Sequence, residues 1–264
     1  MRLPGKISVL MAVYNAQATI ALALRSILEQ TRQADQIVVV NDGSTDDTAR
    51  ILQEYSCQHG FRVLTLTKNR GFSSAINTGL RECRCAWIAR LDADDWWDSN
   101  HLETLERSIA AATENSSLVA TRARYWNEEG HLIGDSRGPL LGDALRCFMM
   151  RDNPFVHSAV MFHREAACRV GGYPIDVRWE DYELWIALMR SGNALILDAT
   201  TVNCRKRAGS LSSVSKLLAL QARLRMQQQA WRQFRRCCPL TGGIGLLVTW
   251  SRVSFAAVRR RLSP

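Results

Sequence analysis

The chain has 264 residues, of which 47% are hydrophobic and 22% are charged. This composition excludes a disordered chain, and the length suits one large domain or one domain with an appendage. No apolar run approaches the roughly 18 residues of a membrane span, and a strand-like pattern begins at Lys6, so we expect neither a signal peptide nor several spans. The eight cysteines form no CxxC pair and match no metal-ligand spacing, so we expect reduced thiols in a cytoplasmic protein.

The formal net charge of +9 is unevenly distributed along the chain. Residues 205–264 contain 13 Lys or Arg and no Asp or Glu, whereas residues 1–204 contain 21 basic and 25 acidic residues. The basic character therefore belongs to the C-terminal segment.

Apolar runs alternate with helical patterns through the first half of the chain. Branched apolar residues form strand-like runs, and between these runs apolar residues recur at helical spacing. The predicted strands cover 6–13, 36–40, 62–66 and 86–91, and the predicted helices cover 16–29, 48–55 and 72–81. This alternation predicts βαβ crossovers and a mostly parallel, Rossmann-like α/β sheet.

The second half of the chain is less regular. Helices are predicted at 99–112, 142–151 and 180–190, strands at 118–125, 156–162 and 194–203, and further apolar helical segments at 216–236 and 244–258. We therefore expect one α/β domain over residues 1–210 and a basic helical tail over residues 211–264.

Acidic residues gather where the fourth predicted strand ends, at the edge where a parallel sheet binds ligands. The segment LDADDWW places Asp92, Asp94 and Asp95 directly after an apolar strand. A turn there can bring Asp92 and Asp94 towards one cation, and carboxylate oxygens suit Mg²⁺ or Mn²⁺ bridging a nucleotide diphosphate. The alternative is a solvated acidic turn that caps the next helix.

Two other strand ends carry candidates for nucleotide binding. The turn NDGSTDDT predicts an N-cap at Ser44 or Thr45, but this leaves Asp42 free to accept a hydrogen bond from a base or ribose. In KNRG, Gly71 would let the backbone approach a nucleotide closely. Taken alone, that segment and Asn77 indicate only a turn and a polar helix position.

The segment WEDYELW places Glu180, Asp181 and Glu183 beside aromatic residues at a helix start. Two interpretations stay open: carboxylates stabilised in the first turn by the helix dipole, or a general base with an apolar wall and restricted water. His157, on an apolar strand, is either a core histidine or a further site residue.

With these residues identified, the chain resembles the family 2 glycosyltransferases of the GT-A fold. The match covers about residues 6–210, and its signatures are SVLMAVYN, VVNDGSTD, NRGFSSAINTGL, LDADD, VHSAVMFHR with GGY, and EDYELW. Six signatures in the correct order are far more specific than any one of them.

The resemblance implies a role for each matched residue. Asp94 would be the direct metal ligand, Asp92 would serve the metal and the diphosphate, and Asp181 would deprotonate the acceptor hydroxyl in one in-line displacement at the anomeric carbon. The residues that would line the nucleotide are Val13, Tyr14, Asp42 and Asn77.

One segment departs from the family pattern. In CRKRAGSLSS, many relatives carry an arginine followed two positions later by a histidine, whereas here Arg205 is followed by Arg207. We therefore expect Arg207 to contact phosphate and water to fill the metal shell, which leaves the third protein ligand open. Besides these two arginines, the lower-ranked site candidates are Glu180, His157 and Trp185.

The expected function is inverting transfer of a sugar from a nucleotide-sugar donor, a UDP-sugar, to a glycan or lipid-linked acceptor during bacterial surface polysaccharide assembly. A nucleotidyltransferase of similar fold is one alternative, but residues 10–16 lack the Gly-rich loop that it would need. A nucleic-acid-binding protein that uses the C-terminal arginines is another, but no recognition module precedes them, so we expect no nucleic-acid partner.

The basic tail predicts a peripheral anchor on the inner face of the cytoplasmic membrane. Its 13 basic residues suit an anionic surface, and Trp231, Trp250 and Phe255 can lie at the headgroup boundary. The alternative is that the tail helices pack on the domain and leave their arginines solvated.

Overall fold

The protein is described by a computed structural model that covers residues 5–111, 116–136, 138, 140–175, 177, 179–190, 192–206 and 216–236. The N-terminal half alternates strands and helices as its apolar pattern predicts. In chain order, its elements are β1 (Ile7–Val13), α1 (Ile20–Leu28), β2 (Gln36–Asn41), α2 (Thr48–His59), β3 (Arg62–Thr65), α3 (Phe72–Glu82) and β4 (Trp87–Arg90).

The second half adds shorter elements, several of which the sequence pattern does not predict. A 3₁₀ turn at His157–Ala159 precedes β9, so the predicted strand at 156–162 is only partly extended. The elements are β5 (Trp96–Trp97), α4 (His101–Ala111), β6 (Ser116–Trp126), β7 (Leu132–Asp135), β8 (Leu140–Leu141), α5 (Gly142–Met149), β9 (Val160–His163), α6 (Arg164–Arg169), α7 (Glu180–Leu188), β10 (Asn193–Arg205) and α8 (Lys216–Phe234).

The strands form one sheet in the order β3-β2-β1-β4-β9-β6-β10-β5, with β7 paired to β6 and β8 to β10. Strands β1 to β4 pair in parallel, as do β6 and β10. Strand β9 runs antiparallel to both β4 and β6. Because β9 reverses direction between them, β4, β6 and β10 all end at the edge of the sheet where β1 and β2 end.

Helices cover both faces of this sheet. Along β1 the side chains alternate, so that Leu10 lies in the core beneath α3, α5, α7 and α8, and Val9 lies in the core beneath α1, α2 and α4. A strand that is buried on both faces, such as β1, needs apolar residues at every position, which explains its continuous apolar sequence.

Helix α3 lies unusually close to the sheet at Gly79. A Cβ added at this position would overlap the side chains of Leu10 on β1 and Val40 on β2. The absence of a side chain at Gly79 therefore sets the distance between α3 and the two strands that it crosses.

Helix α8 is not separate from the rest of the described structure. Met226, Ala230 and Phe234 recur every four residues along it and are buried in the same core as α5 and α7. Trp231, which the sequence suggests as a membrane-contacting residue, also packs against that core. The second predicted tail segment, 244–258, lies outside the described residues.

The cysteines do not all follow the expectation of reduced thiols. Cys57, Cys83, Cys85, Cys168 and Cys204 are free. Cys147 on α5 is disulfide-bonded, so the expectation is wrong for this residue. Cysteine spacing reveals a CxxC pair but does not reveal a pairing between distant parts of the chain. Within the described residues, no helix combines the length and apolar character needed to cross a membrane.

Candidate active site

A cavity of about 680 Å³ opens at the carboxyl edge of the sheet, a volume that suits a small-molecule site. Polar residues line one end of it, namely Arg70, Gly71, Ser73, Ser74, Asp92, Asp94, Asp95, Arg205 and Lys206. The other end carries Glu180 and Asp181 beside a largely apolar wall of Phe155, Val156, Ile175, Val177 and Trp179. The structure thus brings the acids of LDADD and EDYELW, about 90 residues apart in sequence, into one cavity.

Asp92 is fixed by a buried cation. The guanidinium of Arg90, fully buried in β4, donates hydrogen bonds to the Asp92 carboxylate and to the backbone oxygens of Leu10 and Leu91. Burial by itself would raise the pKa of Asp92, but the positive charge of Arg90, with contributions from His157 and the Ser158 hydroxyl, outweighs it and holds this pKa well below its usual range. Asp92 is therefore ionised at neutral pH.

The pKa of Asp95 is shifted in the opposite direction. Its carboxylate is buried and accepts hydrogen bonds from the Ser158 hydroxyl and, at 3.0 Å, from the backbone N–H of Arg205. Burial raises the pKa of Asp95 to about 7, and the negative charges of Asp92 and Asp94 add to the effect. Three carboxylates at one end of a cavity thus create a negative potential that a cation would relieve.

These carboxylates have the chemistry of a divalent-cation site, although the protein supplies few ligands. Asp92 and Asp94 both line the cavity with hard oxygen donors. In the described part of the chain, no three His, Cys, Asp or Glu side chains converge as a metal group. The residues fit a cation whose remaining ligands are phosphate oxygens and water.

Asp181 lies in the first turn of α7 at the other end of the cavity. The side-chain amide of Asn153 donates a hydrogen bond of 2.8 Å to its Oδ2 atom. Burial raises the pKa of Asp181, and the charge of His157 and the hydrogen bonds from Tyr182 N–H and Asn153 offset only part of this rise. A half-buried carboxylate with a raised pKa is better suited to accept a proton than one on an open helix end.

The residue before this helix turn has a strained backbone. Trp179 is the N-cap of α7 and adopts left-handed angles, with φ 69° and ψ 41°. Few bulky residues adopt this conformation, which turns the chain sharply and directs Glu180 and Asp181 towards the cavity. Burial also raises the pKa of Glu180, with a further contribution from the charge of Asp181.

His157 contacts an acidic residue of the cavity with one ring nitrogen and a tyrosine with the other. Its Nδ1 atom lies 3.4 Å from Asp92 Oδ2, and its Nε2 atom lies 3.0 Å from the Tyr173 hydroxyl. Its ring also packs edge-on against Phe72. The structure therefore places His157 in the cavity wall and not in the apolar core.

Four residues predicted to bind the nucleotide lie where β1, β2 and β3 end. Val13 is buried and its carbonyl oxygen accepts a hydrogen bond from Asp42 N–H, whereas Tyr14 is 46% exposed. The Asp42 carboxylate accepts a hydrogen bond of 2.8 Å from the backbone N–H of Arg70, which fixes the loop that contains Gly71. Gly71 has φ +85° and lines the cavity.

The turn after β2 differs from its prediction. Helix α2 begins after Asp47, so neither Ser44 nor Thr45 is its N-cap. The Ser44 hydroxyl instead accepts a hydrogen bond from Asn15 N–H, which ties this turn to the loop after β1.

Asn77 and Trp185 make structural contacts outside the cavity. The amide of Asn77 hydrogen-bonds the backbone N–H and carbonyl oxygen of Tyr173, which docks the GGY turn on α3. Trp185 is fully buried and packs on Phe155 and Tyr173. Neither side chain is part of the cavity lining.

The basic segment after β10 reaches the polar end of the cavity. The guanidinium of Arg205 lies over the ring of Trp96, and the ammonium of Lys206 lies 4.3 Å from the ring centre of Tyr125. Arg207, which we expect to contact phosphate, lies outside the described residues.

Sequence reasoning missed three residues that organise the site. Arg90 has a visible signal, a cation within an apolar run two positions before Asp92. Ser158 follows the candidate His157 directly but resembles any small strand residue. Asn153 is a single amide in a connecting segment, and no pattern reveals that it contacts Asp181.

Comparisons with known proteins identify the family of this chain. The model of glycosyl transferase family 2 matches residues 8–167. The UDP-Gal:alpha-D-GlcNAc-diphosphoundecaprenol beta-1,3-galactosyltransferase of Escherichia coli is 30% identical over 195 residues, which are 71% of this chain and 69% of that protein.

Solved structures share the fold at low sequence identity. Staphylococcus aureus TarS in complex with UDP-GlcNAc superposes with a TM-score of 0.67 and 18% identity, over 86% of this chain and 67% of that one. The mannosyltransferase PcManGT from Pyrobaculum calidifontis, in complex with GDP-Man and Mn²⁺, superposes with a TM-score of 0.64 and 19% identity, over 97% of this chain and 76% of that one. The chain therefore belongs to glycosyl transferase family 2 and is a glycosyltransferase of the GT-A fold.

Proposed function

We propose that this glycosyltransferase inverts the anomeric centre as it moves a sugar from a UDP-sugar to the hydroxyl of a glycan or lipid-linked acceptor. The supporting observation is one cavity with the ionised Asp92 and its acidic neighbours at one end and the half-buried Asp181 at the other. An in-line displacement needs a leaving group and a base on opposite sides of the anomeric carbon. We assign these positions to Asp92 and Asp94 on one side and to Asp181 on the other, all in the lining of one cavity.

Asp94 would bind a divalent cation directly, and Asp92 would orient the cation and the diphosphate. When bound, Mg²⁺ or Mn²⁺ stabilises the negative charge of the departing diphosphate. Arg90 keeps Asp92 ionised, and Arg205 and Lys206 add positive charge at the same end of the cavity. The Mn²⁺ in the PcManGT structure supports the same class of ion here.

The nucleotide would lie along the ends of β1, β2 and β3. Asp42 would accept a hydrogen bond from the uracil or ribose, Tyr14 would cover the base, and Val13 and Gly71 would contribute close backbone contacts. Asn77 would act through the GGY turn that it holds.

At the other end, Asp181 would accept the proton of the acceptor hydroxyl as the hydroxyl attacks the anomeric carbon. The Asn153 amide holds this carboxylate in place through its Oδ2 atom. The apolar wall of Phe155, Ile175 and Trp179 would exclude water and bind the non-polar face of the acceptor sugar.

One relative supports a proposal for the acceptor. The E. coli relative is named for a diphosphoundecaprenol-linked acceptor. We propose a lipid-linked acceptor of surface polysaccharide assembly here, reached from the cytoplasmic face of the membrane. The catalytic unit would extend through α8, and the basic residues beyond it, outside the described part of the chain, would form the membrane-surface anchor.

A donor screen tests this function. Binding to the native state raises the melting temperature by mass action, so UDP-sugars with Mn²⁺ should stabilise the protein and Mn²⁺ alone should do so less. When an acceptor is added, turnover should release nucleoside diphosphate. Release of pyrophosphate from a nucleoside triphosphate would instead support a nucleotidyltransferase.

A further inference from the structure

Helix α8 contacts the turn of residues 151–153, and Asn153 of this turn hydrogen-bonds the proposed base. We infer that α8 is a positioning element for Asp181, acting through residues 151–153, and that it contributes to catalysis without touching substrate. This inference rests on the proposed role of Asp181. It concerns residues of the predicted tail that the family signatures do not include.

The first step is that α8 docks in a single orientation. Met226, Ala230 and Phe234 form one apolar stripe and are 5%, 0% and 3% exposed. Residues four apart share one face of a helix, so the polar residues Arg223 and Gln227 belong to the same docked face.

The second step is the polar contact at the start of that face. Arg223 Nη2 donates hydrogen bonds to the Arg151 carbonyl oxygen at 3.2 Å and to Asp152 Oδ2 at 2.9 Å. The amide of Gln227 donates to the same Arg151 carbonyl oxygen and is 1% exposed. A buried amide is costly unless it is hydrogen-bonded, so this contact fixes where the turn lies against α8.

The third step leads from the turn to the base. Asp152 uses its second oxygen, Oδ1, to accept a hydrogen bond of 3.0 Å from Asn153 N–H. The Asn153 side chain accepts from Phe155 N–H at 3.1 Å and donates to Asp181 at 2.8 Å. Because both ends of the Asn153 amide have partners, its orientation is defined, and Arg223, Asp152, Asn153 and Asp181 form a continuous chain of contacts.

The helix that contains Asp181 is fastened in the same way. The amide of Gln233 on α8 donates a hydrogen bond of 2.8 Å to the Ile186 carbonyl oxygen on α7. The Tyr182 hydroxyl, next to Asp181, donates to the Met149 carbonyl oxygen at the end of α5. Helix α8 therefore contacts both the turn that contains Asn153 and the helix that contains the base.

This arrangement predicts a loss of rate that exceeds any loss of stability. The Arg223–Asp152 pair is partly exposed, with side-chain exposures of 29% and 40%, and such pairs contribute little to folding. A misplacement of about 1 Å of a catalytic group, in contrast, can lower the rate by about 10².

The test compares two Arg→Met substitutions on α8. Arg223→Met should lower kcat by about three- to tenfold, less than the effect of a full misplacement of about 1 Å, with little change in donor KM. Arg225→Met removes the same charge from an exposed residue that has no partner among the described residues, and should leave kcat unchanged. Arg223→Lys should restore most of the rate, because an ammonium can still reach Asp152.

The outcomes separate this inference from the proposed function. An inactive Asp181→Asn variant with an unaffected Arg223→Met variant would overturn the positioning role alone. Equal losses in Arg223→Met and Arg225→Met, or a change in melting temperature and donor KM without a change in kcat, would also overturn it. An active Asp181→Asn variant would overturn both.

Discussion

Asp92 and Asp181 line the same cavity, but their pKa values are shifted in opposite directions. Beside Asp92, the charge of Arg90, with contributions from His157 and Ser158, outweighs burial and keeps the pKa of this aspartate low. At the apolar end, burial prevails and the pKa of Asp181 is raised, since His157 and Asn153 offset only part of it. The two aspartates thus differ in basicity, which suits Asp92 to the proposed cation site and Asp181 to the proposed acceptance of a proton.

The largest effect is expected from removing the proposed metal ligand at the polar end. Asp94→Ala should lower the turnover by about 10⁴, because several kcal/mol of charge stabilisation on the diphosphate are lost. The measurement is turnover with saturating Mn²⁺, with the melting temperature as the control for folding. Unchanged turnover, together with an equal rate in chelator, would contradict the metal role.

The comparison predicts a different defect at the apolar end. Asp181→Asn is nearly isosteric but cannot accept the proton, so kcat should fall by about 10² to 10⁴ while donor binding persists. Thermal stabilisation by UDP-sugar measures the binding, and turnover measures the chemistry. A loss below tenfold would identify Asp181 as a helix-capping residue and make Glu180 the next candidate for the base.

A smaller effect should follow from removing the hydrogen bond to the base. The Asn153 contact lowers the pKa of Asp181, so Asn153→Ala should raise that pKa further. A base works only when deprotonated, and the acidic limb of the kcat–pH profile should therefore move to higher pH.

The charged groups that act on Asp181 from its surroundings are Glu180 on its own helix, His157 and Asp92, and all three are kept in the Asn153→Ala variant. A shift of the limb to lower pH, or no shift, would show that Asn153 does not contact the working base. The profile should be measured at saturating donor, so that changes in donor binding do not enter kcat.

The weakest effect concerns the membrane. The full-length chain should float with anionic liposomes at low salt. A chain truncated after Arg236 should bind less, because it lacks Arg252 and the terminal arginines at 259–261. Truncation near Ser213 is a poor comparison, since it would remove the buried Met226, Ala230 and Phe234. Equal recovery of the full-length and Arg236-truncated chains would exclude the anchor.

Much of the polar end was predictable from sequence, and less of the apolar end was. Strands β1 and β4 are buried on both faces, so their apolar runs and the acids that follow β4 are visible as local patterns. The apolar end depends on contacts between distant segments. Asn153 meets Asp181 across 28 positions, and no local period reports such a contact.

The tail shows the same limit. Its charge pattern predicts a separate membrane segment, but the apolar residues of α8 are spaced for packing on α5 and α7. Short antiparallel strands such as β5 and β8 were also missed, because two residues carry too little periodicity to be recognised.

Gly79 has a consequence for how this enzyme can vary. It contacts no part of the cavity, yet any side chain there would meet Leu10 and Val40 and push α3 away from the strands whose ends bear the nucleotide residues. In a saturation mutagenesis experiment, this position should be as intolerant as the acidic residues themselves. The distance between α3 and these strands therefore depends on a residue that binds nothing itself.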